Sequence, residues 1–360
     1  MKVRLTDICT PRQWKTIPTS ELLNEGYPVY GANGIIGYYN GYNHESPVVT
    51  ITCRGATCGT INITAPKSYV TGNAMCLDDL RPDVLLEYLY YSLLHYNFRN
   101  VISGSAQPQI TRQGLEKVNI ELHSLDEQRT IIDVLSKLER IILARKEELQ
   151  KLDNLVKARF VEMFGNPVAN EKGWHVELLK DVCNGIGDGL HGTPEYDEVG
   201  IYPFINGNNL TNGTIEITPS TRMVNIETYA NHYIEISDNA ILLSINGTLG
   251  KLALYNGEKV MLGKSACYCN LRPEINREFV YGVMRTNAFA EFLESNATAS
   301  TIKNVGLKAI RNFRLIVPPD DLQTKFVAFS RRIDKSKVSV QKSLDEAQLL
   351  FDSLMQQYFG

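Results

Sequence analysis

The 360-residue sequence has no run of 18 or more apolar residues, which excludes a membrane-spanning helix. Its opening, MKVRLTDICTPRQWK, has no apolar core of the kind a secretory signal needs, so the chain is expected to work in the cytoplasm. The seven cysteines, Cys9, Cys53, Cys58, Cys76, Cys183, Cys267 and Cys269, are odd in number and contain no C-x-x-C pair. That argues against a disulfide framework and a zinc site, and predicts reduced, mostly buried thiols. An excess of positive charge is also missing: 37 Lys and Arg stand against 40 Asp and Glu. Residues 1–122 carry ten basic and ten acidic side chains, and residues 165–317 carry 13 and 16. A nucleic-acid binder usually has a basic domain. Any such binding here must use local patches, or partners that supply much of the phosphate contact.

Catalytic signatures are absent as well. The six histidines (His44, His95, His123, His175, His191, His232) form no H-E-x-x-H motif, and there is no G-x-S-x-G elbow. GEKVMLGKS at 257–265 ends like a phosphate loop, but its first glycine comes one residue too early and it lies between two predicted strands. The only Pro-Pro, in VPPDD at 317–321, suits a helix start rather than an adenine-binding motif of an amino-methyltransferase. GIGDGLHGTPEYDE at 185–198 contains Gly187-x-Gly189-x-x-Gly192, the glycine spacing of a dinucleotide fingerprint. That fingerprint needs a strand before it and a helix after it. Pro194 disfavours helical geometry at Thr193, so the stretch is expected to be an irregular loop whose backbone turns or approaches a partner closely.

What the sequence does contain is a repeat. Residues 124–165 align without a gap with 319–360 at an offset of 195: Asp126 meets Asp321, Gln128 meets Gln323, Leu149 meets Leu344, and Phe164-Gly165 meets Phe359-Gly360. In both copies eight of the eleven positions at alternating steps of three and four are apolar, running Gln128, Ile131, Leu135, Leu138, Ile142 onward in the first and Gln323, Phe326, Ser330, Ile333 onward in the second, with Gln a polar exception at the first position of each. That is a heptad seam, and it predicts two long helices of ~60 Å at 1.5 Å per residue. One such helix is not stable alone in water, so the two are expected to pack on each other.

The preceding segments are also related. QITRQGLEKVNIELHSLDEQ (109–128) parallels NVGLKAIRNFRLIVPPDDLQ (304–323), PVVTITCRGATCGTINIT (47–64) parallels NAILLSINGTLGKLALY (239–255), and YPVYGANG (27–34) parallels YPFINGNN (202–209). The middle pair reads as strand, glycine turn, strand. The chain is therefore globular, helix, globular, helix.

On these residues the chain resembles the specificity subunits of type I restriction–modification systems. The resemblance covers the whole length. It is carried by DGLHGTP (188–194), GIYPFINGNNL (200–210), YGANGIIGYY (30–39), CRGATCGTI (53–61), and GSAQPQIT (104–111) running into NIELHSLDEQ (119–128), together with the duplicated helix. It implies an α+β chain with a pseudo-two-fold internal repeat. Two globular α/β target-recognition domains, 1–122 and 166–317, alternate with conserved spacer helices, 123–165 and 318–360, which pair as an antiparallel coiled coil. The resemblance further implies a non-catalytic subunit without cofactor or metal. Its partners would be double-stranded DNA with a bipartite target, two methyltransferase subunits and, where the system has them, restriction subunits. A recognition subunit of a type IIB or IIG-like enzyme is an alternative, as are a coiled-coil adaptor for proteins only and an enzyme built on the glycine motif.

Polar, glycine-rich loops shared by the two halves supply the candidate DNA contacts. In the first half these are Tyr30, Asn33, Arg54, Thr57, Asn73, Gln107 and Gln109. In the second they are His191, Thr193, Tyr196, Asn206, Asn208, Asn209, Asn246, Thr248, Lys251, Lys264 and Lys303. Such side chains read base edges or phosphates. Each Asn is equally a turn former, and Arg54 is equally a partner for a carboxylate.

Overall fold

The computed structural model describes residues 1–32, 34–104 and 107–360. The chain divides into two units, Met1–Glu147 with Gln341–Gly360, and Glu148–Val340. Each unit therefore holds one half of each long helix.

In the first unit, four antiparallel strands lie in the order Thr10–Gln13, Ala74–Asp78, Val49–Thr52, Ile61–Ile63. A smaller sheet sets Tyr27–Gly31 antiparallel to Gly34–Tyr39 and parallel to Tyr69–Val70. Lys2–Arg4 pairs with Asn119–Glu121 and brings the two ends of the globular part together. The second unit repeats this topology. Its four-stranded sheet runs Cys183–Asp188, Ala266–Leu271, Ala240–Ser244, Leu252–Leu254. Tyr202–Ile205 is parallel to Met261–Leu262, and His175–Leu178 pairs with Arg314–Val317. The central strands VTIT and AILLS are buried at every position; AILLS reads as a continuous apolar run, whereas VTIT alternates and its buried Thr50 and Thr52 hydroxyls donate to Asn62 O and Ala32 O. The second unit departs from the first after Ile205: the outer strand comes late, at Met223–Val224, behind a small extra hairpin, Leu210–Thr211 with Thr214–Ile215.

The long helices span Leu125–Phe164 and Asp320–Phe359, 40 residues each. Ser124 starts the first with a capping box: its N–H donates to the Glu127 carboxylate at 2.9 Å, and its hydroxyl accepts from the Glu127 N–H at 3.4 Å. Pro319 starts the second, its carbonyl accepting from Leu322 and Gln323 N–H. Gly165, at φ +77°, ends the first in the left-handed conformation that glycine adopts without strain.

The seam positions are buried at Ile131, Leu135, Leu138, Ile142, Val156, Phe326, Ala347 and Phe351 and half-buried at Leu149, Leu152, Ile333, Val340 and Leu344, and residues beside the seam join the cores. In the first unit Ile131, Leu135, Leu138 and Ile142 share a core with Ala347, Phe351 and Met355. In the second, Val156, Phe160 and Phe164 share one with Phe326 and Val327. Asp153 accepts from Lys337 at 2.6 Å, and the Phe160 and Phe164 rings lie 5.2 and 5.8 Å from that of Phe326, so the halves run antiparallel. Phe160 and Phe164 sit off the seam and dock the helix on its globular partner, where both rings meet Phe279.

The polar first position of each seam is also explained. The buried Gln128 side chain donates to the carbonyls of His123 and Asp83, both at 2.9 Å, and accepts from Leu85 N–H at 2.9 Å. Gln323 donates back over the same interval, to Pro318 O at 2.8 Å.

Candidate functional site

Four loops meet in each unit, and they are the same four by position in the repeat. In the first unit, the segment from Cys53 to Gly59 is their centre. Gly55 N–H donates to Pro108 O at 3.1 Å, Ile110 N–H to Cys53 O at 3.0 Å, and Cys53 N–H to Asn73 O at 3.1 Å. The hydroxyls of Thr52 and Thr57 both donate to Ala32 O, in the hairpin turn after Tyr27–Gly31. Arg54 and Gln109 form an isolated antiparallel bridge. In the second unit, Gly247 N–H donates to Lys303 O at 2.9 Å, Val305 N–H to Ile245 O at 2.8 Å, and Ile245 N–H to Ser265 O at 3.1 Å. The turn at Asn206–Asn209 joins them through Gly207 N–H, which donates to the Ser265 hydroxyl at 2.9 Å, and through the Lys251 ammonium, which donates to Asn208 O at 3.3 Å. Asn246 and Asn304 form the bridge equivalent to Arg54 and Gln109. Both central loops turn on a left-handed glycine just after the bridge, Gly55 at φ +88° and Gly247 at φ +76°, a conformation that strains any residue with a Cβ.

The predicted contact residues fall into three groups. Arg54, Asn73, Gln107, Asn208, Thr248 and Lys264 are exposed on these loops, and Thr57, Gln109, Asn246 and Lys251 are half-buried there. Among the described residues no carboxylate pairs with Arg54. Lys303 is also exposed on a loop, but its ammonium is paired with Glu294. His191 is exposed, with Nε2 2.8 Å from an Asp188 carboxylate oxygen. It adjoins the loop of Lys264, whose N–H donates to Leu190 O at 3.0 Å.

A second group is committed to local structure. Asn206 and Asn209 form a capping box, with Asn206 N–H donating to Asn209 Oδ1 at 3.0 Å. Asn209 Nδ2 donates to Glu216 O at 3.1 Å, and Asn206 Oδ1 accepts from the Ser265 hydroxyl at 2.8 Å. Their amides build the turn. Tyr30 is corrected outright from a loop contact to a core residue: it is 9% exposed, packs with Val48, Val70, Ala74 and Cys76, and its hydroxyl accepts from Ala65 N–H at 3.0 Å.

The third group stands apart. Thr193 and Tyr196 are exposed on the segment after Gly192, where Tyr196 packs against Phe204 with Arg222 above its ring. Asn33 lies outside the described residues. Asn304 and Ser265 are members of the site that the sequence reading missed. Asn304 was findable, because the offset of 195 places it on Gln109.

The glycine motif is corrected in one respect. A strand does precede it, Cys183–Asp188, and runs through Gly185 and Gly187; only the stretch beyond Asp188 is irregular. No helix follows, and the next regular element is the strand Tyr202–Ile205. A Cβ at Gly187 would stand 2.7 Å from the Tyr268 hydroxyl oxygen, and one at Gly189 would fall 1.9 Å from Leu262 O. These glycines let the chain approach itself, not a cofactor. Gly263-Lys264-Ser265 likewise joins the strands Met261–Leu262 and Ala266–Leu271, without the helix a phosphate loop requires.

One trio among the described residues, His44, Cys76 and Asp78, brings three metal-ligating atoms within 4.8 Å, beside a cleft of about 330 Å³. Its hydrogen bonds argue against a metal. Asn43 is oriented by Val70, its Nδ2 donating to Val70 O and its Oδ1 accepting from Val70 N–H. His44 Nδ1, 2.7 Å from that Oδ1, must therefore donate, and Nε2 is spent on Asp78 at 3.0 Å. Asp78 also accepts from Trp14 at 3.1 Å and pairs with Arg12 at 3.4 Å. Burial, then the charge of Asp78, pushes the Cys76 thiol far up, away from the thiolate a metal would bind. Asp78 is the centre of a polar network with His44, Arg12 and Trp14 that ties Trp14 to the sheet, and Cys76 stands beside it as a neutral thiol. The other thiols are free too: Cys9, Cys53, Cys267 and Cys269 are buried, and Cys58 and Cys183 half-buried. No helix among the described residues is long and apolar enough to cross a membrane.

A family described as type I restriction modification DNA specificity domain matches residues 1–154 and 171–347, one match for each copy of the repeat. The chain is 27% identical over 115 residues to the type I restriction enzyme EcoprrI specificity subunit of Escherichia coli, a match covering 32% of this chain and 28% of that protein. It is 24% identical over 270 residues to a putative type I restriction enzyme specificity subunit of Haemophilus influenzae, covering 68% of this chain and 64% of the other. These matches span less than two thirds of either relative. Among solved structures, a type I restriction–modification S subunit from M. genitalium superposes with a TM-score of 0.59 at 17% identity, covering 100% of this chain and 96% of that one. A chain from a type I R-M system, solved in a study of complex assembly and conformational transition, superposes at 0.54 with 16% identity over 99% and 97% of the two chains. These likenesses establish the shared fold of two repeated domains and two long helices.

Proposed function

We propose, since this chain belongs to the family of type I restriction modification DNA specificity domains, that it is the sequence-reading subunit of such a system and does no chemistry itself. In this reading residues 1–122 and 166–317 are the two recognition domains. Each takes one half of a bipartite duplex target on its four-loop surface. The helices within 123–165 and 318–360 set the gap between half-sites and hold two methyltransferase subunits, one for each half. Restriction subunits join where the system includes them. The complex works in the cytoplasm, on the cell's own duplex DNA.

The observation that carries this reading is the recurrence of the four loops. The bridges Arg54–Gln109 and Asn246–Asn304, with equivalent backbone hydrogen bonds beside them, place polar side chains at matching points of two folds built on one plan. A duplicated surface suits a target read in two parts. A helix of ~60 Å is long enough for half-sites more than one DNA turn of ~34–36 Å apart. The net charge of −3 gives the chain little phosphate attraction of its own, which supports partners that supply it. Adenine methylation requires the base to leave the stack. The methyltransferase performs that step while this chain selects where.

The test is to coexpress the chain with the adjacent methyltransferase in a host free of adenine methylation, and to map modified adenines by long-read sequencing. The expected result is a two-part motif with a fixed gap. A continuous motif, or methylation equally abundant without this chain, refutes the assignment.

A further inference from the structure

We infer that positions 54 and 246 are equivalent base-reading positions, the Arg54 guanidinium taking a guanine in one half-site and the Asn246 amide an adenine at the matching place in the other. This rests on the function proposed above and names what its surface selects.

The two positions coincide in the repeat. Each belongs to an isolated antiparallel bridge, Arg54 with Gln109 and Asn246 with Asn304, outside the regular strands. Each bridge is clamped by the same backbone bonds: Gly55 N–H to Pro108 O matches Gly247 N–H to Lys303 O, and Ile110 N–H to Cys53 O matches Val305 N–H to Ile245 O. Each is followed by a left-handed glycine that turns the chain away. The backbone is thus held from both sides, and the side chain starts from the same place in both units.

Their chemistry differs. Arg54 is exposed, and no carboxylate among the described residues holds its fork. Neighbouring candidates are less available: Lys303 is paired with Glu294, and the Asn206 and Asn209 amides are used within their own turn. A free guanidinium fork matches guanine O6 and N7 in the major groove. Asn246 gives one amide proton to Asn304 Oδ1 at 3.3 Å. It keeps the other proton and its own Oδ1, the donor and acceptor that adenine N7 and N6 require. One scaffold position therefore reads different bases in the two halves, which makes the target asymmetric.

The experiment compares methylation motifs of the wild type, R54N and the reciprocal N246R, each coexpressed with the methyltransferase. In R54N one guanine of a single half-site is replaced by adenine or becomes indifferent, with the other half-site unchanged. In N246R an adenine of the other half-site changes towards guanine. Binding of the assembled wild-type complex to duplexes altered at that guanine falls roughly 5- to 150-fold, the discrimination of one bidentate pair. An R54N motif identical to that of the wild type overturns the inference and leaves the proposed function standing. Absence of a two-part motif in the wild type instead removes the function on which it rests. If R54N abolishes methylation, anisotropy of its complex on single-base-pair variant duplexes decides. An equal loss on every duplex means a phosphate contact and overturns the inference; an indifference confined to the one G·C pair supports it.

Discussion

Gln128 and Gln323 occupy the same place in the sequence repeat, yet replacing each with Leu is expected to have very different costs. Gln128 is fully buried, and its amide serves three backbone groups at 2.9 Å: Asp83 O, His123 O and Leu85 N–H. Leucine has a similar volume, so the cost is polar. The Leu85 N–H, orphaned in the interior, costs about 1–3 kcal/mol, and each carbonyl that loses its donor about 0.5–1.5 kcal/mol. Burial of the added apolar surface returns about 1 kcal/mol. The net is a destabilisation of about 1–5 kcal/mol. Gln323 makes one bond, to Pro318 O at 2.8 Å. Q323L loses about 0.5–1.5 kcal/mol and regains most of it. The chain's two tryptophans allow separate readouts: Trp14 lies in the first unit and Trp174 in the second. Urea unfolding of Q128L in a W174F background reports the first unit, and Q323L in W14F the second. Equal losses at the two sites, or a loss below about 1 kcal/mol for Q128L, would refute the argument that the hydrogen-bond partners set the cost.

Three further outcomes are expected. Phe160 is 1% exposed and its ring lies 5.0, 5.9 and 5.2 Å from those of Phe164, Phe279 and Phe326. F160A should cost about 3–5 kcal/mol in denaturant unfolding, and F160A/F326A less than the sum of the single changes; strict additivity would deny the contact. Hydrogen bonds from Ser124 hold Glu127 below its ordinary value of 4.5. The capping contribution is therefore complete above the unfolded value and is lost as pH falls through the lower folded one, so E127Q should flatten the acid limb of stability against pH; an unchanged limb counts against the capping box. Burial raises the Cys9 thiol to about 12 and also lifts Cys53, Cys58, Cys76 and Cys183. A thiol reagent at pH 8 should label the native chain slowly and reach all seven cysteines only in denaturant, whereas rapid full labelling would contradict this burial.

The sequence by itself determined the two helices, their seam, the repeat and the strand–turn–strand units at 47–64 and 239–255. These are written in periodicity and in local punctuation, a capping Ser, a Pro-Pro start and a terminal Gly, so each can be read from residues a few positions apart. The candidate surface was legible only as a set of loops. Tyr30 and the amides of Asn206 and Asn209 look in sequence like Arg54 and Asn246. What separates them is whether a hydrogen-bond partner elsewhere in the chain consumes the side chain: Ala65 takes Tyr30, and Ser265 and Glu216 take the two amides. Gly187 and Gly189 have the spacing of a cofactor loop, which Pro194 already argues against in sequence, but only the structure shows Tyr268 and Leu262 packed where a Cβ would stand. Tertiary structure decided these points because Tyr30 depends on a group 35 residues away, Asn206 on one 59 away, and the two glycines on the space left by Tyr268 and Leu262, which local pattern does not encode.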